Sequence, residues 1–245
     1  MQLQDVLYSQ GFGTRRICAG LVQHGHVEIQ LSDGTYMQPC LEPSREVDVQ
    51  DFQFKVQGVV WPYRAKAYVM LHKPVGFECS QKPSAYPSVY TLLPAPLRQR
   101  PAKGAVAGVQ AIGRLDQDTT GLLLLSDDGQ FIHRMSSPKK HVSKVYRVTA
   151  KHPVQHAQIE RLLDGVVLDD DPRPVRAATC QQVDECCIDL TLTEGKYHQV
   201  KRMLAAVGNR VEALHRSHMG GLVLPEDLPA GQWRWLDSHD LQRLV

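Results

Sequence analysis

The stretch Gly113-Arg114-Leu115-Asp116-Gln117-Asp118-Thr119-Thr120-Gly121-Leu122-Leu123-Leu124-Leu125 decides how the chain is read. A polar loop bounded by two glycines runs into an unbroken apolar strand, and Asp127-Asp128-Gly129 then turns the chain. Such a strand is buried, which fixes the loop at the edge of a sheet with its carboxylates near solvent. On the loop alone, Asp116 and Asp118 suit either turn hydrogen bonds or chemistry.

Downstream, Tyr146 and Val148 alternate with Val145 and Arg147, and Ile188, Leu190 and Leu192 alternate with polar residues, as in half-buried strands. Pro153 leads into a helix carrying Ile159, Leu162 and Leu163, closed by Gly165. Val200, Met203, Leu204 and Val207 mark another helix, capped by Gly208. Upstream, Tyr68-Val69-Met70-Leu71 forms a strand, and Lys73 to Pro101 is irregular and proline-rich. Strands without a regular strand-helix-strand repeat predict an α+β fold with a mostly antiparallel mixed sheet flanked by helices.

The first sixty residues read as a small α/β module. Leu3, Val6 and Leu7 share a helical face ended by Gly11-Phe12-Gly13. Thr14 caps a second helix that packs through Ile17, Leu21 and Val22, and Gly25 ends it. A strand Val27-Glu28-Ile29 and a hairpin turn at Ser32-Asp33-Gly34 follow. The expected division is a module over residues 1–60, a linker over 61–67 in the region around Lys55 to Lys66, and the main domain over 68–245.

The net charge of +2 excludes little, but its distribution is uneven. Arg134, Lys139, Lys140, Lys144 and Arg147 fall in a stretch without acid, and Lys196, Lys201, Arg202, Arg210 and Arg216 form a second basic run. Compensating acid sits at Asp169, Asp170 and Asp171. A basic face of this kind suits a polyanion, and ordinary solvated charge explains it equally well. The six cysteines lack CxxC spacing and the histidines offer no zinc motif, so no metal is expected and the thiols read as reduced. Met1-Gln2-Leu3-Gln4-Asp5 lacks signal-peptide character and no apolar run reaches membrane-spanning length, so a cytoplasmic protein with no membrane partner is expected.

GRLDQDTTGLLLLSDDG (113–129) resembles the signature of the ribosomal RNA pseudouridine synthases, in which the Asp after Arg-Leu is the nucleophile. Three further segments match in order. His72-Lys73-Pro74-Val75-Gly76 resembles an Asn-Lys-Pro-x-Gly segment, with His72 in place of Asn. Lys144-Val145-Tyr146-Arg147-Val148 resembles a Lys-x-Tyr-x-Val strand, and Glu194 to Met203 resembles a third segment whose basic residue pairs with the nucleophile. Gly11-Phe12-Gly13-Thr14-Arg15-Arg16 resembles the hallmark of the RNA-binding domain named after ribosomal protein S-four.

The resemblance implies isomerisation of one uridine in ribosomal RNA, without cofactor or metal. Asp116 would be the nucleophile, Tyr146 would stack on the base, and Lys201 would be the ion-pair partner of Asp116. Arg15, Arg16, Lys73, Arg114, Lys139, Lys140, Lys144, His198 and Arg202 would contact RNA. Small-subunit RNA, free or in a partly assembled particle, is the expected substrate of a monomer. Large-subunit RNA and transfer RNA are alternatives within the class. A non-catalytic assembly factor and a glycosidase using Asp116 and Asp118 are alternatives outside it.

Overall fold

The computed structural model describes residues 1–30, 38–102, 106–169 and 171–244. The expected turn at Ser32-Asp33-Gly34 lies outside them, as does Asp170. The chain forms two compact units: Met1–Ala67 with Leu93–Gln110 and Ser126–Asp128, and Tyr68–Leu92 with Ala111–Leu125 and Gly129–Val245.

In the first unit, α1 (Leu3–Gln10) and α2 (Arg15–Gln23) pack beside a four-stranded sheet. Its strands are β1 (Val27–Ile29), β2 (Gln38–Pro39), β3 (Gln53–Val56) and β4 (Val59–Pro62), in the order β2-β1-β3-β4. Gly11 closes α1 in the left-handed region at φ 90°, and the Thr14 side chain accepts from Ile17 N at 3.3 Å. The core uses Leu3, Val6, Leu7, Cys18, Val22 and Phe54. Ile17, expected to pack, is 53 % exposed, because Cys18 and Val22 take the buried face of α2.

The expected linker is also corrected. Lys55 to Pro62 is a hairpin, β3 against β4, turned at Gln57 and Gly58, both with positive φ. Gln-Gly is a weaker turn cue than Asn-Gly, and Val59 and Val60 are both exposed, so no alternation announces the strand. A short helix, α3 (Ala95–Gln99), interrupts the stretch read as irregular. The buried Arg100 fastens the segment after it: Nε donates to Asp127 Oδ2 at 2.6 Å, Nη1 to Gln10 Oε1 at 2.8 Å and Nη2 to Arg64 O at 2.6 Å.

The second unit is built on a nine-stranded sheet with the path β11-β12-β8-β13-β7-β5-β15. In chain order its elements are β5 (Tyr68–Lys73), β6 (Gln110–Ala111), β7 (Thr119–Ser126), α4 (Gly129–Ser136), β8 (Lys144–Ala150) and α5 (His156–Asp164). After them come β9 (Val166–Leu168), β10 (Asp171–Val175), β11 (Thr179–Asp184), β12 (Cys187–Leu192) and α6 (Gln199–Ala206). The last are β13 (Val211–Met219), β14 (Leu222–Val223), β15 (Trp233–Trp235) and α7 (Ser238–Gln242). β9 and β10 pair apart from the main sheet.

β11, β12, β8 and β13 pair antiparallel in succession, and β13 runs parallel to β7. The mixed, mostly antiparallel sheet flanked by helices is the expected fold class. Leu122 to Leu125 are fully buried, as the apolar run required. One core joins α5 and α6 to β8 and β12 through Leu162, Met203, Leu204, Val148, Ile188 and Leu190. A second joins α4 to β5 and β7 through Phe131, Met135, Met70, Leu122 and Leu124. The start of β7 therefore holds the Asp116 loop on a buried strand.

Candidate active site

The loop 112–118 enters β7, and Thr119 N donates to Asp116 O at 3.1 Å to tighten its last turn. Lys73, expected to contact RNA, is fully buried instead. Its Nζ donates to Thr119 O at 2.8 Å, Pro74 O at 3.0 Å and Gln117 O at 3.3 Å. Burial lowers the Lys73 pKa, against the opposing pull of Cys79, Asp118 and Asp116. Its carbonyl contacts fasten the Asp116 loop to the end of β5. Gly76 N donates to Gln117 O at 2.8 Å and fixes the same loop from its other side.

Opposite the loop stands α6. Lys201 Nζ lies 3.2 Å from Asp116 Oδ2, so the expected pair forms. The same ammonium lies 2.7 Å from Asp118 Oδ1 and 2.9 Å from Asp118 Oδ2, a tighter contact that the sequence did not reveal. Burial acts to raise Asp118, but the hydrogen bond and charge of Lys201 outweigh it and hold the carboxyl below its ordinary value. Burial acts to lower Lys201, and the hydrogen bonds it donates to Asp118 and Asp116 reverse that. His198 Nε2 lies 3.4 Å from Asp116 Oδ1. The His198 backbone sits in the left-handed region at φ 48°, and its ring stacks on Tyr197 at 3.8 Å between centroids.

Asp116 lines a cavity of about 310 Å³ together with Arg114, Lys144, Tyr146, Lys196, His198 and Arg216. Tyr146 is thus brought to the same space as Asp116, from a strand thirty residues further on. Lys144 Nζ donates to Val142 O at 2.9 Å, and burial followed by the charge of Arg216 lowers its pKa. On the other side of Asp116 a second cavity of about 390 Å³ includes Glu78, Tyr86, Asp118, Tyr197 and Lys201.

The remaining expected residues do not line these cavities. Arg202 Nη1 donates to Tyr197 O at 3.1 Å and is not among the lining residues. Lys139 and Lys140 are exposed in a short turn of helix after α4, close in sequence to the lining residues Ser136 and Ser137. Arg15 and Arg16 begin α2 in the other unit, where Arg15 pairs with Asp5 at 3.1 Å and lies over the Tyr8 ring. Arg216 was missed as a lining residue. The signal was present: it falls two residues after buried Leu214 on a strand, in phase with the core.

Among the described residues no cluster of three or more His, Cys, Asp or Glu could hold a metal ion, and no helix is long and apolar enough to cross a membrane. Asp116 and Asp118 converge on one ammonium within one loop, whereas glycosidase carboxylates face each other across a sugar.

The RNA pseudouridylate synthase family model matches residues 67–206, more than half of the chain. The chain is 42 % identical over 230 residues to the ribosomal small subunit pseudouridine synthase A of Haemophilus influenzae, covering 94 % of this chain and 88 % of that one. The protein of the same name from Yersinia pestis is 41 % identical over 242 residues, covering 98 % and 97 %. A crystal structure of a pseudouridylate synthase aligns along the whole of both chains with a TM-score of 0.67 and 33 % identity. A carboxylate held by a lysine beside a tyrosine-lined cavity, within a chain alike to these enzymes along nearly its full length, places it in a group: it belongs to the RNA pseudouridylate synthase family.

Proposed function

We propose that this protein isomerises one uridine of small-subunit ribosomal RNA to pseudouridine, with Asp116 as nucleophile. The observation that carries the chemistry is Asp116 paired with Lys201 on the wall of a cavity that Tyr146 also lines. Near-full-length likeness to small-subunit enzymes supports the choice of RNA over the large subunit.

The target uridine leaves the RNA stack and enters the cavity, at a cost of a few kcal/mol. Stacking on Tyr146 offsets about 1–3 kcal/mol of that. The bond from ribose C1′ to uracil N1 breaks with its electron pair passing to the base, while the Asp116 carboxylate forms the covalent intermediate. The base turns, C5 bonds to C1′, and the carboxylate leaves with its electron pair. The C5 hydrogen departs as a proton and N1 takes one up, so nothing is oxidised or reduced. Lys201 sets a positive charge 3.2 Å from the attacking carboxylate of Asp116, with Asp118 holding that ammonium in place. Arg114, Lys144 and the exposed lysines at 139 and 140 supply sequence-independent attraction for phosphate. The protein acts as a monomer, its large partner surface being the RNA.

The test maps pseudouridine by carbodiimide-dependent primer-extension stops after wild type meets small-subunit transcript, large-subunit transcript and partly assembled small-subunit particles. One new site, in small-subunit RNA or its particle, is expected. Modification confined to large-subunit RNA would overturn the choice of substrate.

A further inference from the structure

Arg216 carries a buried donor that no described residue satisfies. The residue is 2 % exposed and lines the cavity that holds Asp116 and Tyr146. Its Nε donates to Leu122 O at 2.8 Å, whereas Nη2 is buried without a hydrogen-bond partner among the described residues. A buried charged group left short of a partner is costly and rare, which marks Nη2 as set for an acceptor that arrives with a ligand.

The strands aim the side chain. Arg216 pairs in register with Tyr146 on β8 and with Gly121 on β7, and the β13 register shifts between Arg216 and His218. A bulge of this kind re-aims a side chain beside a site. No side chain on Gly121 separates β7 from Arg216, whose carbonyl oxygen lies 2.2 Å from where a Cβ would stand. Lys144 lines the same cavity and its Nζ, which donates to Val142 O, adds a second positive charge to this wall. The Asp116 carboxylate is engaged by Lys201 and His198, so the unmet charge at this wall is positive.

We propose that Arg216 is a catalytic residue whose Nη2 donates to a carbonyl oxygen of the extruded uracil and stabilises the negative charge the ring acquires during bond breaking. The inference rests on the uridine-isomerising function proposed above. When C1′–N1 breaks, its electron pair delocalises onto O2 and O4. If the carboxylate adds to C6 of the ring instead, the displaced ring electrons reach O4. Either route places charge on a carbonyl oxygen, and a buried guanidinium held by Leu122 O meets it without reorganising. A phosphate stays toward solvent, where exposed Arg114 waits; an arginine this deep, level with Tyr146, faces the base.

The experiment crosses two enzymes with three substrates. Wild type and Arg216→Met are assayed on RNA whose target is uridine, 2-thiouridine or 4-thiouridine, since sulfur is a weak acceptor. Arg216→Met is expected to lower kcat about 100-fold or more with KM nearly unchanged, the mark of charge stabilised only in the transition state. At one of the two positions sulfur slows wild type about tenfold and leaves the variant almost unaffected. Equal sulfur effects in both enzymes, or none in wild type, overturn the proposal. A methylphosphonate at the target that slows wild type and spares the variant also overturns it, in favour of a phosphate contact. Should Arg216→Met not fold, Arg216→Lys, which keeps the charge but withdraws Nη2, takes its place in the same comparison, with the same loss of the sulfur effect expected. Wild type inactive on unmodified small-subunit RNA and particles would instead sink the proposed function itself.

Discussion

The ammonium of Lys201 lies 2.7 Å from Asp118 Oδ1, closer than to the proposed nucleophile. The cation is therefore positioned by one carboxylate and shared with another. Lys201→Met leaves two acids on one loop without their counter-charge and should lower kcat about 100-fold, as expected when a reacting group is misplaced. Lys201→Arg keeps the charge on a longer, planar head and should lose about tenfold. Asp118→Asn keeps a polar partner for Lys201 and should fall between wild type and Lys201→Met. The three kcat values, read with KM on one RNA, check the order; Asp118→Asn below Lys201→Met would contradict it.

Lys73 holds Pro74, Gln117 and Thr119 through a single buried ammonium. Lys73→Met removes hydrogen bonds from a charged donor and should destabilise by roughly 2–3 kcal/mol. The Asp116 loop loses its tether at the same time, so activity should fall even where the variant is fully folded. Urea denaturation and kcat below the unfolding range measure the two effects separately. Unchanged stability would remove the tether from the account.

Gly121 has φ +110°, and a Cβ there would collide with Arg216 O. Gly121→Ala should cost about 3 kcal/mol or more, from strained backbone and overpacking between β7 and β13 together. Gly129→Ala, at a helix start with open space around it, should be neutral or slightly stabilising. The contrast in urea midpoint separates close strand approach from a general intolerance of alanine.

His215 donates to or accepts from Thr120 Oγ1 at 2.9 Å. Burial, then repulsion from His72 and Arg147, holds it below the ordinary value of 6.5. Below that pH the unfolded chain takes up a proton that the folded protein resists, so the unfolded state binds more protons and stability rises with pH across the interval. The stabilisation is complete above the ordinary value and is lost as pH falls from there through the lowered folded value. Between about pH 7.5 and pH 5.5 the melting temperature of wild type should drop further than that of His215→Gln. Equal drops would assign the acid sensitivity to other groups.

Much of the catalytic unit was legible because its signals are local. Four leucines after a glycine-bounded loop could only be a buried strand, and Tyr146 and Lys201 were reachable from motif order and helical facing. Lys73 misled because a lysine beside a proline reads as surface; only the fold brings three carbonyls round its ammonium. Asp118 as the tighter partner of Lys201 depends on contact distance, which sequence spacing does not encode. Arg216 was visible as charge, and its spacing from Leu214 put it in phase with the core, but the cavity it lines comes from the pairing of β13 with β8 and β7. The β3–β4 hairpin escaped notice for want of a strong turn dipeptide and an alternating pattern.

The central claim is that Asp116 attacks a uridine of small-subunit ribosomal RNA. Its most direct test is tritium release from RNA labelled at carbon 5 of uridine, comparing wild type with Asp116→Asn. Wild type should release tritium from small-subunit RNA or its assembling particle, and Asp116→Asn none above background although RNA binding persists. Release by Asp116→Asn at a rate near wild type would contradict it.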